Sequence, residues 1–316
     1  MGVDDYPYTL MEFERRFATK EACRAYLVQL RWPEGIRCFR CHSPSVWSTA
    51  RGLYHCTFCS FQTSVLTGTI FQDTKADLRL WFRAMWYVTN QKSGVSAVGL
   101  QRTLGLGSYR TAWTWLQKLR TAMVRPGRDR LTGIVEADET YLGGPKPGKP
   151  GRGAAGKALI SVIAQIDGRR IGRIRLRRIP DASARSLERA IHVAVEPGTT
   201  VRTDGWHGYS QLDALGYPHE IIREEAEVGQ HLLPRVNRVV ALLKRWLLGI
   251  HQGRVSVAYL DAYLDEFTFR FNRRTSRWRG KLFYRLAQQA VAVEASPAHR
   301  THRPLMGARP QAVVGT

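Results

Sequence analysis

The apolar positions divide the chain by their period. Phe13, Phe17, Cys23, Tyr26, Leu27 and Leu30 recur at helical spacing and predict an amphipathic stretch near the N-terminus, with Cys23 in its core. Leu78, Trp81, Phe82, Met85, Trp86 and Val88 begin a second helical region, which Gly94 interrupts. Ser96 opens a helix through Leu100 and Leu104, ended by Gly105 and Gly107; Ser108 then caps another carrying Ala112, Trp113, Trp115, Leu116 and Leu119. Helix, glycine turn, helix suits a helix-turn-helix, and equally a helical hairpin packing aromatics into a core.

From Gly133 the period changes to strands. Residues 133–138 form an apolar-rich strand ending in acids, and residues 158–167 read as a buried strand. Residues 170–179 alternate, with Ile174 and Leu176 on one face and Arg173, Arg175 and Arg177 on the other. A helix over 182–195, a strand over 199–204, a short helix over 210–216, a strand over 219–223 and a long amphipathic helix over 231–249 follow. This order predicts an α/β fold with a ribonuclease-H-like core. The Gly- and Pro-rich run from Gly143 to Gly153 reads as a flexible insertion. The chain then divides into an N-terminal helical segment (1–34), a ribbon (35–73), a helical, helix-turn-helix-like segment (74–128), a catalytic domain (129–290) and a disordered tail (291–316).

Composition sharpens the picture. The 316 residues carry a formal charge of +22 with a pI near 10.4, which points to a polyanion, nucleic acid first, as partner. Residues 140–180 hold ten Lys or Arg against one acid, Asp167; residues 270–285 hold seven and no acid, interleaved with Phe271, Trp278, Phe283 and Tyr284. Arginines among aromatics suit packing onto DNA. The candidate contacts are Arg110, Lys118 and Arg120 on the second helix of the hairpin, Arg173, Arg175 and Arg177 on the alternating strand, and Arg270, Arg273, Arg274 and Arg277. No apolar run approaches the ~18 residues of a membrane span. Acids near the N-terminus have the wrong sign for a signal peptide, so a reducing cytoplasm is expected. No P-loop is found.

Two clusters carry candidate chemistry. Cys38 and Cys41 form one C-x2-C, Cys56 and Cys59 a second, with fourteen residues between. Two such knuckles complete a four-thiolate site for structural Zn2+. The second cluster is acidic. Asp138 and Asp204 end two strands, where neighbouring carboxylates can share Mg2+ or Mn2+ and leave positions for phosphate and water. Glu136 and Glu139 compete with Asp138. The following helix offers Asn237 as a third oxygen, with Lys244 two turns on along the same face to touch a phosphate.

Val135-Glu-Ala-Asp-Glu-Thr-Tyr-Leu-Gly-Gly144, Thr203-Asp-Gly-Trp-His-Gly-Tyr209, Asn237-Arg-Val-Val-Ala-Leu-Leu-Lys-Arg-Trp-Leu-Leu-Gly249 and Tyr263-Leu-Asp-Glu-Phe-Thr-Phe-Arg-Phe-Asn-Arg-Arg274 together resemble bacterial insertion-sequence transposases. They are most similar to the insertion-sequence fifteen-ninety-five family, with its ISXO-two-like transposase domain and N-terminal zinc ribbon. The resemblance implies a DDE-superfamily core that cleaves and joins DNA at terminal inverted repeats. Double-stranded DNA of the element ends and of the target would be the partner, a homodimer on DNA the candidate assembly, and the bacterial nucleoid the location. It assigns Asp138 and Asp204 as catalytic acids. Asn237 stands where many relatives have Glu, with Lys244 seven positions later as in the Asn-bearing members. Glu266 is the fallback third ligand, unless it anchors Arg270. The alternative function is a zinc-ribbon DNA-binding regulator, or an inactive derivative, whose catalytic site is dead.

Overall fold

The computed structural model describes residues 5–125, 127–143, 157–222, 232–251 and 256–293. Most of the Gly- and Pro-rich insertion, and the tail from 294, lie outside the described residues.

Two short helices open the chain, α1 (Leu10–Arg16) and α2 (Lys20–Arg31), capped by the hydroxyls of Thr9 and Thr19. A small antiparallel sheet follows in the order β1 (Val46–Ser48), β2 (Tyr54–Cys56), β3 (Gln62–Thr63). Next come α3 (Leu78–Asn90), α4 (Ala97–Leu104) and α5 (Tyr109–Thr121). Their starts are set by Asp77, Ser96 and Ser108, each accepting a backbone N–H of the first turn. Gly105, at φ 63°, ends α4 in the left-handed conformation that glycine adopts most easily. Trp81 of α3 stacks on Trp115 of α5, ring centroids 3.9 Å apart, so the helical pair α4–α5 packs aromatics inward.

The second half is an α/β layer. Its sheet has the order β6–β5–β4–β7–β8, formed by β4 (Ile134–Leu142), β5 (Ala158–Asp167), β6 (Arg170–Ile179), β7 (Thr200–Thr203) and β8 (His219–Ile221). The first three run antiparallel; β7 joins β4 in parallel, and β8 joins β7 in parallel. Helix α6 (Ala184–Ala194) packs on one face through Leu187 and Ile191. Helices α7 (Pro234–His251) and α8 (Leu260–Asn272) cover the other, burying Val236, Val239, Leu243, Leu264 and Phe267 against Ile160, Val162 and Leu176. Residues 210–216 form hydrogen-bonded turns rather than the expected helix. The segment is too short to repay a helical nucleus, and buried Leu212 and Tyr217 pin it instead.

The last helix, α9 (Arg279–Ala292), returns to the N-terminal half. Phe283, Leu286 and Ala290 share a core with Phe13, Tyr26 and Phe82. Gly280 lets it dock there: a Cβ on Gly280 would sit 1.6 Å from the Pro7 carbonyl oxygen. Cys23 lies in this same core, fully buried, and burial pushes its thiol up to about 12.

Candidate functional site

The four ribbon cysteines converge. Their sulfurs all lie within 4.8 Å of one another, with Cys38 Sγ 3.5 Å from Cys59 Sγ and Cys41 Sγ 3.6 Å from Cys56 Sγ. Zn–S bonds of about 2.3 Å in a tetrahedron require S···S edges of about 3.8 Å, so the donor set fits zinc. The two knuckles are built alike. The His42 N–H returns to the Cys38 carbonyl and the Ser60 N–H to the Cys56 carbonyl. His42 and Ser60 both adopt positive φ, 57° and 58°. Arg31 of α2 donates to the Val65 carbonyl at 2.7 Å and anchors the end of the ribbon to the helices.

The acidic cluster is organised by strand register. Ile134, Val135 and Glu136 of β4 pair with Thr200, Val201 and Arg202 of β7. Carried two residues further, the same register sets Asp138, in the middle of β4, level with Asp204, the first residue past β7. β4 does not end at its acids, as the sequence suggested, but runs on to Leu142 because its far half stays paired with β5. Buried Tyr209 senses both: burial first, then the charges of Glu139, Asp138 and Asp204, raise its phenol well above the ordinary range. Asp204 is exposed and accepts the Trp206 N–H at 3.0 Å, while Gly205 turns the chain at φ 84°.

The three acids of β4 separate by face. Glu136 and Asp138 point to the side covered by α7, since they pair with Ala164 and Val162, which lie in the core beneath it. Glu139 points the opposite way and accepts the Tyr209 hydroxyl at 3.0 Å. Glu136, buried, accepts the backbone N–H groups of Arg235 and Val236 at 2.7 and 2.9 Å and the Arg235 guanidinium at 3.0 Å. It thus caps α7 from a neighbouring strand. The sequence hid this role but left one sign of it: α7 begins Leu232-Leu233-Pro234, with no Ser, Thr, Asp or Asn to satisfy its first N–H groups. Glu136 fixes the start of α7, and half-buried Asn237 follows Val236 directly. Lys244 is exposed two turns along. The oxygen donors of Asp138, Asp204 and Asn237 suit a hard divalent cation.

Glu266 is not available to that site. It is buried on α8, with Oε2 accepting Arg120 Nε at 2.7 Å and Oε1 accepting Arg270 Nη2 at 2.7 Å.

The arginines expected on DNA divide. Arg120 is only 2% exposed and belongs to the Glu266 ion cluster. Arg270 is held by Glu266 and by the carbonyls of Val88 and Gln91. Arg175 is buried against the carbonyls of Ile174 and Asp129. For these three the expectation of a DNA contact is corrected, because groups distant in sequence hold them: Glu266 of α8 for Arg120, the end of α3 for Arg270 and the Asp129 carbonyl for Arg175. Arg110, Arg173, Arg177, Arg274 and Arg277 are exposed; Lys118 and Arg273 are half-buried. Arg274 also caps carbonyls of Ile171 and Gly172.

Among the described residues, no helix is long and apolar enough to cross a membrane. Residues 18–62 match the transposase zinc-ribbon domain, and residues 130–272 match the ISXO2-like transposase domain. The chain is also similar to an uncharacterized protein in transposable element ISH50 of Halobacterium salinarum. The two are 26% identical over 277 residues, which cover 81% of this chain and 92% of that relative.

Proposed function

Because the chain belongs to the insertion-sequence transposases that join a transposase zinc ribbon to an ISXO2-like transposase domain, we propose that it binds the ends of a mobile element and catalyses metal-dependent cleavage and strand transfer. The catalytic unit is ribonuclease-H-like. A five-stranded sheet with three antiparallel strands and two parallel ones, helices on both faces, one acid in the middle of β4 and another just past β7 supports that reading. The ribbon and the α4–α5 pair form the DNA-binding parts. By this reading α9, although it follows the catalytic unit in the chain, serves the N-terminal unit, whose core it completes. The protein acts on duplex DNA at the nucleoid, as a dimer that brings two ends together.

The observation that carries the proposal is the level placement of Asp138 and Asp204 on adjacent strands, beside a helix that Glu136 pins in place. Asp138 and Asp204 would present carboxylate oxygens, and Asn237 an amide oxygen. A divalent cation held there supplies charge neutralisation at the phosphate and eases deprotonation of the attacking oxygen. Water attacks a phosphodiester in line and expels its 3′-oxygen as a free 3′-hydroxyl. That hydroxyl later attacks a second phosphodiester and expels the 3′-oxygen there, the proton of the nucleophile in each step being balanced by protonation of the leaving oxygen. Lys244 holds a neighbouring phosphate. Tyr209 keeps the Glu139 carboxylate engaged on the opposite face.

The test is end cleavage with Mg2+ on duplexes carrying the element's inverted repeats. Asp138→Asn and Asp204→Asn should each abolish cleavage and leave DNA affinity unchanged. Binding without cleavage by the unmodified protein would instead favour the DNA-binding regulator.

A further inference from the structure

The arginines of β6 turn away from the carboxylate pair. Asp138 pairs with Val162, and Val162 with Leu176, a row lying under α7 and α8. The next row, Ala137, Ile163 and Arg175, faces the other side of the sheet, toward α6. Arg173 and Arg177 share that face by alternation. Beside them a cleft of about 670 Å³ opens between β6, the end of α8, α9 and the segment joining α5 to β4. Six arginines line it, Arg125, Arg128, Arg173, Arg175, Arg273 and Arg285, with Asp129 as the single acid.

That acid does not neutralise the cleft. Asp129 is shared between Arg125 at 3.1 Å and Arg173 at 3.7 Å, and its side chain is 73% exposed, where an ion pair contributes little. The Arg273 guanidinium carbon sits over the Phe269 ring, 4.2 Å from its centroid. Among the described residues no acid forms a close ion pair with Arg128; the Asp265 carboxylate in an adjoining hollow attracts it from further off. Burial, then Arg128 and Arg173, brings the Arg175 guanidinium down to about 10; burial, Arg285 and Arg125 do the same to Arg273. Like charges crowded into a partly desolvated groove oppose folding unless an anion joins them.

The lining also continues beyond the cleft. Arg128 and Arg175 belong as well to that adjoining hollow with Arg177 and Arg178, where Asp261 pairs with Arg178 and Asp265 is a second acid. Arg173 belongs to another with Arg170, Arg274 and Asp167, so arginines outnumber acids in both. Arg173 and Arg177, both exposed, stand on the same face of β6, roughly 13 Å apart along the strand, while Arg175 between them is held by the Ile174 and Asp129 carbonyls and adds charge rather than a free contact. A row of planar guanidiniums matches a chain of phosphates better than one small anion.

We propose that this cleft, at the β6 edge of the sheet two strands from β4, where Arg173 and Arg177 face away from Asp138, holds the phosphodiester backbone of duplex DNA. The segment it holds is therefore distinct from the one being cut. The proposal rests on the reading of the chain as a DNA transposase. It adds a second DNA track along the β6 edge, supplied by one helix bent round the sheet or by a second helix.

The test measures DNA binding by the full-length, zinc-loaded protein against salt, with a fluorescent duplex of arbitrary sequence. The double variant Arg128→Gln, Arg285→Gln should bind roughly tenfold more weakly, and the slope of log affinity against log salt should fall by about 1.8, for two lost phosphate contacts. The pair Arg128→Lys, Arg285→Lys should recover most of the slope, since charge is retained. Unchanged affinity and slope in the Gln pair would overturn the proposal. So would loss in both pairs alike, which would mean a packing defect. Given the loss of slope in the Gln pair, one long duplex bound per chain indicates a bent helix and two indicate separate helices; both support the cleft. This assay reads binding and the Asp138→Asn assay reads cleavage, so the two readings fail separately.

Discussion

The Glu136 carboxylate accepts the backbone N–H of Val236 across 100 residues of chain, at 2.9 Å. Asp138 lies two positions after Glu136 on β4, and Asn237 one position after Val236 on α7. One hydrogen bond thus ties the strand bearing a candidate ligand to the helix bearing another. Glu136→Gln keeps an oxygen acceptor but loses the charge that faces the helix N-terminus and Arg235. It should cost about 1–2 kcal/mol in urea unfolding. Glu136→Ala leaves buried donors unpaired and should cost about 2–4 kcal/mol. In the Gln variant, cleavage should fall further than DNA affinity; equal losses would mean that the cap serves stability alone.

The ribbon should depend on its metal. Its three strands are two or three residues long, too little to bury a core. Elemental analysis should give about one zinc per chain for a single site. Chelation, or Cys56→Ser, should release β1–β3 and change tryptophan emission, because Trp32 packs edge-on against Tyr54 at 5.4 Å. A zinc-free protein with unaltered emission and proteolysis pattern would count against a structural metal.

Local signals were legible in the sequence and distant ones were not. The doubled C-x2-C, the serine caps at Ser96 and Ser108, and the acid just past β7 each declare themselves within a few residues, whereas the extension of β4 beyond its acids to Leu142 depends on pairing with a later strand, β5. The alternation of Arg173, Arg175 and Arg177 also put them correctly on one face. The cover over Arg175 was invisible, because the Asp129 carbonyl that holds it lies 46 residues away. Arg120 looked like a surface cation on a recognition helix, since periodicity on α5 carries no trace of Glu266, 146 residues later. The Glu266–Arg270 pair, one turn apart, was readable for the opposite reason. Choosing between Glu136, Asp138 and Glu139 needed to know which face α7 covers.

The buried Glu266 cluster gives a pH-dependent prediction. Burial alone would raise its pKa, but Arg120 and Arg270 outweigh that and hold the carboxyl at about 2, below the ordinary 4.5. A depressed folded-state pKa stabilises the fold above about pH 4.5, and the stabilisation is lost as pH falls toward 2. Glu266→Gln leaves two arginines buried without their counter-charge and should cost about 3–5 kcal/mol at neutral pH. The difference from the unmodified protein should narrow below pH 4.5. Thermal unfolding of both proteins across pH 2–7 checks this, and a constant difference would show that packing, not charge, sets the loss.

Asn237 provides the sharpest test of the candidate site. Its position is set by two backbone facts: its own N–H bonds the Leu233 carbonyl at 3.0 Å, and the preceding N–H is held by Glu136. The side chain therefore leaves α7 from a fixed point one residue past the N–H that Glu136 of β4 holds. If its amide oxygen completes the ligand set, Asn237→Ala should lower cleavage by at least about a hundredfold, as loss of a metal-site group does. DNA affinity should not change, because a neutral amide contributes nothing to counterion release. Asn237→Asp keeps an oxygen donor and adds a charge, so cleavage should stay within roughly tenfold of the unmodified protein. Lys244→Ala should behave differently, weakening DNA binding and lowering the salt slope by about 0.9, for one phosphate. If Asn237→Ala cleaves normally while Asp138→Asn is inactive, the metal is held by two carboxylates and solvent alone, and Asn237 is only a polar residue beside them.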